Sequence, residues 1–129
     1  ILGVTLLTDN DAQTVRESGF AEAFCKDPAV LVMKRAEMAY KASCAGVVCS
    51  GKEVKAIKEA FGEHFMAVTP GIRPAGETGS GDDQKRICTP GEAVTLGADL
   101  IVVGRPVRDA PDPAQAARRI AEEIDAVLS

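Results

Sequence analysis

Apolar residues gather in four short runs, at positions 1–7, 45–49, 65–69 and 99–103. Each is nearly continuous in Val, Ile, Leu and Ala and does not alternate with polar residues, which is the pattern of strands covered on both faces in a parallel sheet. Turn residues and then a segment of helical spacing follow each run. After 45–49, Ser50-Gly51-Lys52-Glu53 has the form of a capping box, Val54, Ile57 and Phe61 share one face, and Gly62 supplies a helix end. Asp27-Pro28, Thr89-Pro90 and Asp112-Pro113 each set an N-cap residue before a proline at the first helical position. Between the first two runs the spacing predicts helical pieces over 11–18 and 28–43, with a break at Gly19. From Pro113 onward, Ala116, Ala117, Ile120, Ile124, Val127 and Leu128 form one apolar face, and Arg118, Arg119, Glu122 and Glu123 are predicted to be solvated. The alternation of strand and helix, repeated four times, predicts an α/β fold with a parallel sheet.

Length fits this reading, since 129 residues can bury one core, and positions 1–129 are predicted to form a single domain or part of one. The chain opens on Ile1 inside an apolar run without a methionine, so more chain is expected before it. Nineteen acidic against fifteen basic side chains, one tyrosine and no tryptophan argue against a nucleic-acid surface. No run approaches the roughly 20 apolar residues that span a bilayer and no secretory signal is legible, so a cytoplasmic protein without membrane contact is expected. Cys25, Cys44, Cys49 and Cys88 contain no C-x-x-C pair and no histidines at zinc-ligand spacing, so neither a metal nor a disulfide is assigned.

The chemistry is predicted where the third and fourth runs end. Pro70-Gly71 turns the chain so that Arg73 emerges beyond 65–69, and Gly104-Arg105 occupies the same place after 99–103. In parallel α/β folds ligands bind outside the carboxyl ends of strands, so the two guanidinium groups are predicted to face one mouth. Phosphate suits them, because guanidinium forks match its oxygens and glycine admits backbone N–H groups. The glycine-rich stretch up to Gln84-Lys85-Arg86 is predicted to be a lid over that anion, with Lys85 and Arg86 most often solvated. Asp9 and Asp11 are expected to cap a helix, Asp82 and Asp83 to serve solubility and turn formation, and His64 to sit at a helix–strand junction away from the mouth.

The stretches "GVTLLT", "AGVVCSGKE", "VTPGIRPAG", "GDDQKR", "TPGEAVTLGADLIVVGRPV" and "DPAQAARRI", in this order, resemble orotidine 5′-monophosphate decarboxylase. The resemblance implies a (β/α)8 TIM barrel of which this chain covers about four βα units, strands five to eight, a whole barrel needing about 250 residues. It implies decarboxylation of orotidine monophosphate to uridine monophosphate and CO2 without a cofactor, in a homodimer or with the N-terminal half-barrel supplied elsewhere. By the same resemblance Thr8, Arg73, Gln84, Gly104 and Arg105 contact the substrate, the last two at its phosphate. The family's catalytic D-x-K-x-x-D segment is absent from these residues, so no catalytic residue is assigned here. The spacing from Arg73 to Gln84 is longer than usual, and Asp9-Asn10 stands where a serine is usual. Another phosphate-binding barrel lyase or epimerase, or a non-catalytic half-barrel that self-associates, are the alternative readings.

Overall fold

The computed structural model describes residues 1–76 and 86–129. Four strands form one sheet in the order β1-β2-β3-β4: β1 Leu2–Val4, β2 Gly46–Val48, β3 Met66–Thr69 and β4 Leu100–Ile101. Every pairing is parallel, with Leu2 opposite Gly46, Gly46 opposite Met66 and Val68 opposite Leu100. Sequential neighbours in a parallel sheet need a crossover between them, and the helices supply it. These are α1 Ala12–Glu17, α2 Glu22–Lys26 and α3 Pro28–Lys41 after β1, then α4 Gly51–Phe61 after β2 and α5 Pro90–Thr95 after β3. Two helices, α6 Arg105–Arg108 and α7 Pro113–Leu128, follow β4.

The capping signals act as their chemistry requires. Asp11, Asp27 and Asp112 side chains accept from the backbone N–H of Thr14, Ala29 and Gln115, and Thr89 does so from Glu92. Gly62 ends α4 at φ +90°. The core lies between sheet and helices, where Val32, Ala36, Val47, Val54, Ile57 and Ala67 are completely inaccessible. Phe61 is only half-buried and joins Tyr40 and Phe65 in a ring cluster with centroids 5.3–5.5 Å apart.

Three expectations change. The short helices α2 and α6 carry no long apolar period and are absent from the pattern-based reading. Coverage on both faces holds for the central strands, but Leu2, Val4, Leu100 and Val102 are exposed, because β1 and β4 are the edges of the sheet. On α7 only Ala116 and Ile120 of the predicted apolar face are buried, while Ala117, Val127 and Leu128 are exposed. Glu123 is not merely solvated, since its Oε1 accepts the Gly91 N–H at 3.0 Å, tying α7 to the first turn of α5.

Below the sheet, at the amino ends of β3 and β4, Lys58 is buried with each of its three ammonium N–H groups matched by an acceptor. These are Asp99 Oδ2 at 2.7 Å, Glu63 O at 2.9 Å and Phe65 O at 3.2 Å. Asp99 Oδ2 also takes the Ala67 N–H at 2.7 Å. Burial works against the Asp99 carboxylate, and the bonds from Lys58 and Ala67 more than offset it, holding its pKa below the ordinary value.

Candidate functional site

At the opposite end of the sheet the chain leaves each strand through a turn, and these turns surround a cleft of about 520 Å³. Leu7, Thr8 and Asp9 line it from β1, Pro70, Gly71 and Arg73 from β3, and Val102, Gly104, Arg105 and Arg108 from β4 and α6. Thr8, Arg73, Gly104 and Arg105, the residues singled out in the sequence, thus share one cavity. Gln84, Lys85, Asp82, Asp83 and the lid reading fall outside the described residues.

Each wall has a local cause. Gly71 has φ +74°, and a Cβ there would sit 3.1 Å from Thr8 Cγ2. Only glycine lets the turn after β3 pass so close to the buried Thr8 in that conformation. Beyond it, Ile72 pairs with Cys88 in a parallel bridge and the Arg73 N–H donates to Cys88 O at 3.0 Å, which fixes the backbone from which Arg73 springs. Arg73 is buried, and its Nη1 donates to Ile72 O at 2.9 Å. Gly104 is the N-cap of α6, with Pro106 in the first turn, so the β4 chain coils immediately after leaving the sheet and carries Arg105 and Arg108 on one short helix. Nothing lies within 4 Å of the position a Gly104 Cβ would take, leaving its backbone open to the cleft.

Gly71→Ala should therefore cost about 1–2 kcal/mol of stability, the penalty for an L side chain at such a φ, and should push Thr8 out of place. Chemical denaturation measures the loss; a variant as stable as the wild type would show that Thr8 and the turn tolerate the added methyl.

Arg86 departs from expectation. It is buried and held by contacts within the fold rather than solvated. Its Nη1 meets Glu53 Oε1 at 2.6 Å, and its Nη2 donates to Leu6 O at 2.7 Å and Leu7 O at 3.0 Å. The Arg86 N–H donates to Thr8 O at 3.2 Å. Glu53 uses its other oxygen in the capping box, accepting from the Ser50 N–H at 3.0 Å and from the Ser50 hydroxyl. One ion pair thus joins the end of β1, the start of α4 and the chain leading into α5. No sequence signal links positions 33 residues apart in this way.

Asp9 also departs from expectation. Asp11 alone caps α1, while Asp9 lines the cleft, its Oδ1 accepting from Asn10 Nδ2 at 3.2 Å. Arg108, unremarked in the sequence, is the third cation of the cleft. It donates from Nε and Nη2 to the two oxygens of Asp109, and this bond holds the Asp109 carboxyl below its ordinary pKa. His64 is exposed in the turn between α4 and β3, at the end of the sheet away from the cleft.

Nucleophilic chemistry by thiols finds no support. Burial, reinforced by Glu53, pushes the Cys49 thiol up to about 12, and burial with the Glu92 charge pushes Cys88 up to about 11. At pH 8 in the native protein, iodoacetamide should leave Cys49 and Cys88 unmodified, whereas the denatured chain should be alkylated at all four cysteines; peptide mass spectrometry reads the difference. Among the described residues no group of His, Cys, Asp and Glu side chains could hold a metal ion, and no helix is long and apolar enough to cross a membrane.

A parallel sheet whose strands are joined by helices, with an arginine-lined cleft at the carboxyl ends of the strands, is the architecture of a (β/α)8-barrel protein, here four of its βα units. Residues 1–120 match the Orotidine 5′-phosphate decarboxylase / HUMPS family, and the chain belongs to it. It is 52% identical over 128 residues to the orotidine 5′-phosphate decarboxylase of Desulfosudis oleivorans, covering 99% of this chain and 51% of that protein. With the Geotalea daltonii protein of the same name the identity is 48%, over 96% of this chain and 49% of the relative. The crystal structure of orotidine 5′-phosphate decarboxylase from Lactobacillus acidophilus superposes with a TM-score of 0.75 at 36% identity, over 96% of this chain and 48% of that one. The chain spans about half the length of the curated relatives it matches, consistent with the C-terminal half of the barrel.

Proposed function

We propose that this chain supplies the phosphate-binding half of an orotidine 5′-phosphate decarboxylase, a cofactor-independent carbon–carbon lyase of pyrimidine synthesis. The observation that carries the reading is the convergence of Thr8, Arg73, Gly104 and Arg105 on one cleft at the carboxyl ends of the strands. Arg105 and the Gly104 backbone hold the phosphate of orotidine monophosphate, Arg73 and Thr8 contact the same ligand, and Gln84 adds a further donor.

In the reaction, the bond from C6 of the pyrimidine to its carboxylate breaks, CO2 leaves, and the electron pair left on C6 takes a proton to give uridine monophosphate. The lysine and aspartate set that performs this step in the family is not in these residues. Their part is binding at a distance from the reacting carbon. Such binding accelerates the reaction when it is realised in the transition state, by organising and desolvating the ring site.

The exposed apolar residues of β1 and β4 support assembly with the other four βα units, since open strand edges pair readily. Homodimerisation belongs to the same proposal. The same exposure favours, as a second reading, a half-barrel that pairs with its own copy and has no catalysis; adding the other half-barrel distinguishes them, orotidine monophosphate turnover supporting the first and a self-associated chain that gains none supporting the second. Isothermal titration with uridine monophosphate tests the site itself. Saturable binding that inorganic phosphate displaces is expected, and the absence of both would overturn the phosphate assignment.

A further inference from the structure

Thr8 lines the cleft beyond the point where the sheet holds its strand. The pairing of β1 with β2 ends at the bond from the Thr5 N–H to Val48 O, 3.1 Å. Past it, the carbonyls of Leu6, Leu7 and Thr8 all meet one residue. Arg86 Nη2 takes the first two, at 2.7 and 3.0 Å, and the Arg86 backbone N–H takes the third at 3.2 Å. The Leu7 and Thr8 carbonyls belong to the two peptide planes that flank the Thr8 Cα. Because peptides are planar, pinning both planes sets the direction in which the Thr8 side chain leaves the backbone. On the other side the turn after β3 confines that side chain, since the position a Gly71 Cβ would take is 3.1 Å from Thr8 Cγ2.

Arg86 is itself braced from behind. Its Nη1 meets Glu53 Oε1 at 2.6 Å, and Glu53 Oε2 is tied to the start of α4 through the Ser50 N–H and hydroxyl. Neither Arg86 nor Glu53 lines the cleft. Stability alone is a poor reason for the pair, because two buried charges gain little over well-packed apolar neighbours. Arg86 Nε, moreover, is buried with no acceptor among the described residues, a cost the fold carries. What the pair supplies is placement of the chain that carries Thr8.

We propose that Arg86, braced by Glu53, is a positioning residue: it sets Thr8 in the orientation that meets the ligand of the cleft, and its contribution to binding passes through Thr8. The inference rests on the nucleotide-monophosphate reading of the cleft and deepens it.

The test is calorimetric titration with uridine monophosphate, at a temperature where circular dichroism shows each variant folded. Arg86→Lys keeps a cation for Glu53 but lacks the planar fork that spans Glu53 and both carbonyls. It should bind about tenfold more weakly than the wild type, the scale of one lost hydrogen bond, and Thr8→Val should lose a similar factor. Combined, the two changes should bind within about twofold of Thr8→Val alone, because residues that act as one unit do not add. Arg86→Met with Glu53→Gln, which relieves the stranded charge, should regain stability over Arg86→Met and still bind weakly; it also serves in place of Arg86→Lys should that variant not fold. A purely structural role would lower the melting temperature and leave the affinity of the folded molecules unchanged. Wild-type affinity in Arg86→Lys, losses that multiply in the combined variant, or affinity that returns together with stability would each overturn the proposal while leaving the cleft intact. If the wild type does not bind the nucleotide, or if Arg105→Ala and Thr8→Val both bind it as the wild type does, the reading of the cleft itself fails and this inference falls with it.

Discussion

Arg86→Met should destabilise the protein by about 3–5 kcal/mol, the range for removing one partner of a buried ion pair. Glu53 would keep its charge with no cation on Oε1, and the carbonyls of Leu6 and Leu7 would lose their donor. Both charged side chains are about nine-tenths buried, 11% and 8% exposed, so water cannot replace the lost contacts cheaply. Combining Arg86→Met with Glu53→Gln should recover part of the loss, since the stranded carboxylate is then neutral while the Ser50 contacts can persist. Denaturant titration of the two single variants and the double variant measures the coupling. If Arg86→Met melts within about 1 kcal/mol of wild type, the ion pair is ornamental and Thr8 is held by something else.

Arg105→Ala should weaken uridine monophosphate binding by about a hundredfold, some 2–3 kcal/mol, as expected for a charge-assisted contact to phosphate. Uridine, which carries no phosphate, should bind the variant and the wild type alike. In an enzyme completed by its other half-barrel the same change should lower kcat/KM by a comparable factor, because phosphate binding is felt in the transition state. Equal binding of the nucleotide by variant and wild type would remove Arg105 from the phosphate site. High salt should narrow the difference, since the cleft opens to solvent and its field is screened.

The two variants mark the boundary of what the sequence reveals. Arg105 is legible because its place follows from local rules: an apolar strand, a glycine, then a charge at the carboxyl end where parallel sheets bind ligands. The caps at Asp27, Thr89 and Asp112 are legible for the same reason, each being settled within four residues. Arg86 is not, because its role depends on Glu53 and on the end of β1, which only the folded sheet brings to it. Lys58 escapes notice likewise, since a lysine in a helix reads as solvated until Asp99 arrives from 41 residues away. Arg108 and Asp9 lie between these cases. Their neighbours in sequence predict a cap or a surface charge, and only the packing of three turns shows that they share a cavity. The short helix α6 is hidden by its length, four residues offering no period to detect.

The Lys58 clip separates two duties in space. Its ammonium and carboxylate fasten β3 to β4 at the end of the sheet remote from the cleft, so this mooring draws on none of the residues that line the cleft. Substitutions at the mouth can then reshape the cleft while the anchorage underneath stays put. Exchanging rim side chains such as Asp9 and Arg108 would therefore leave the floor of the half-barrel fastened.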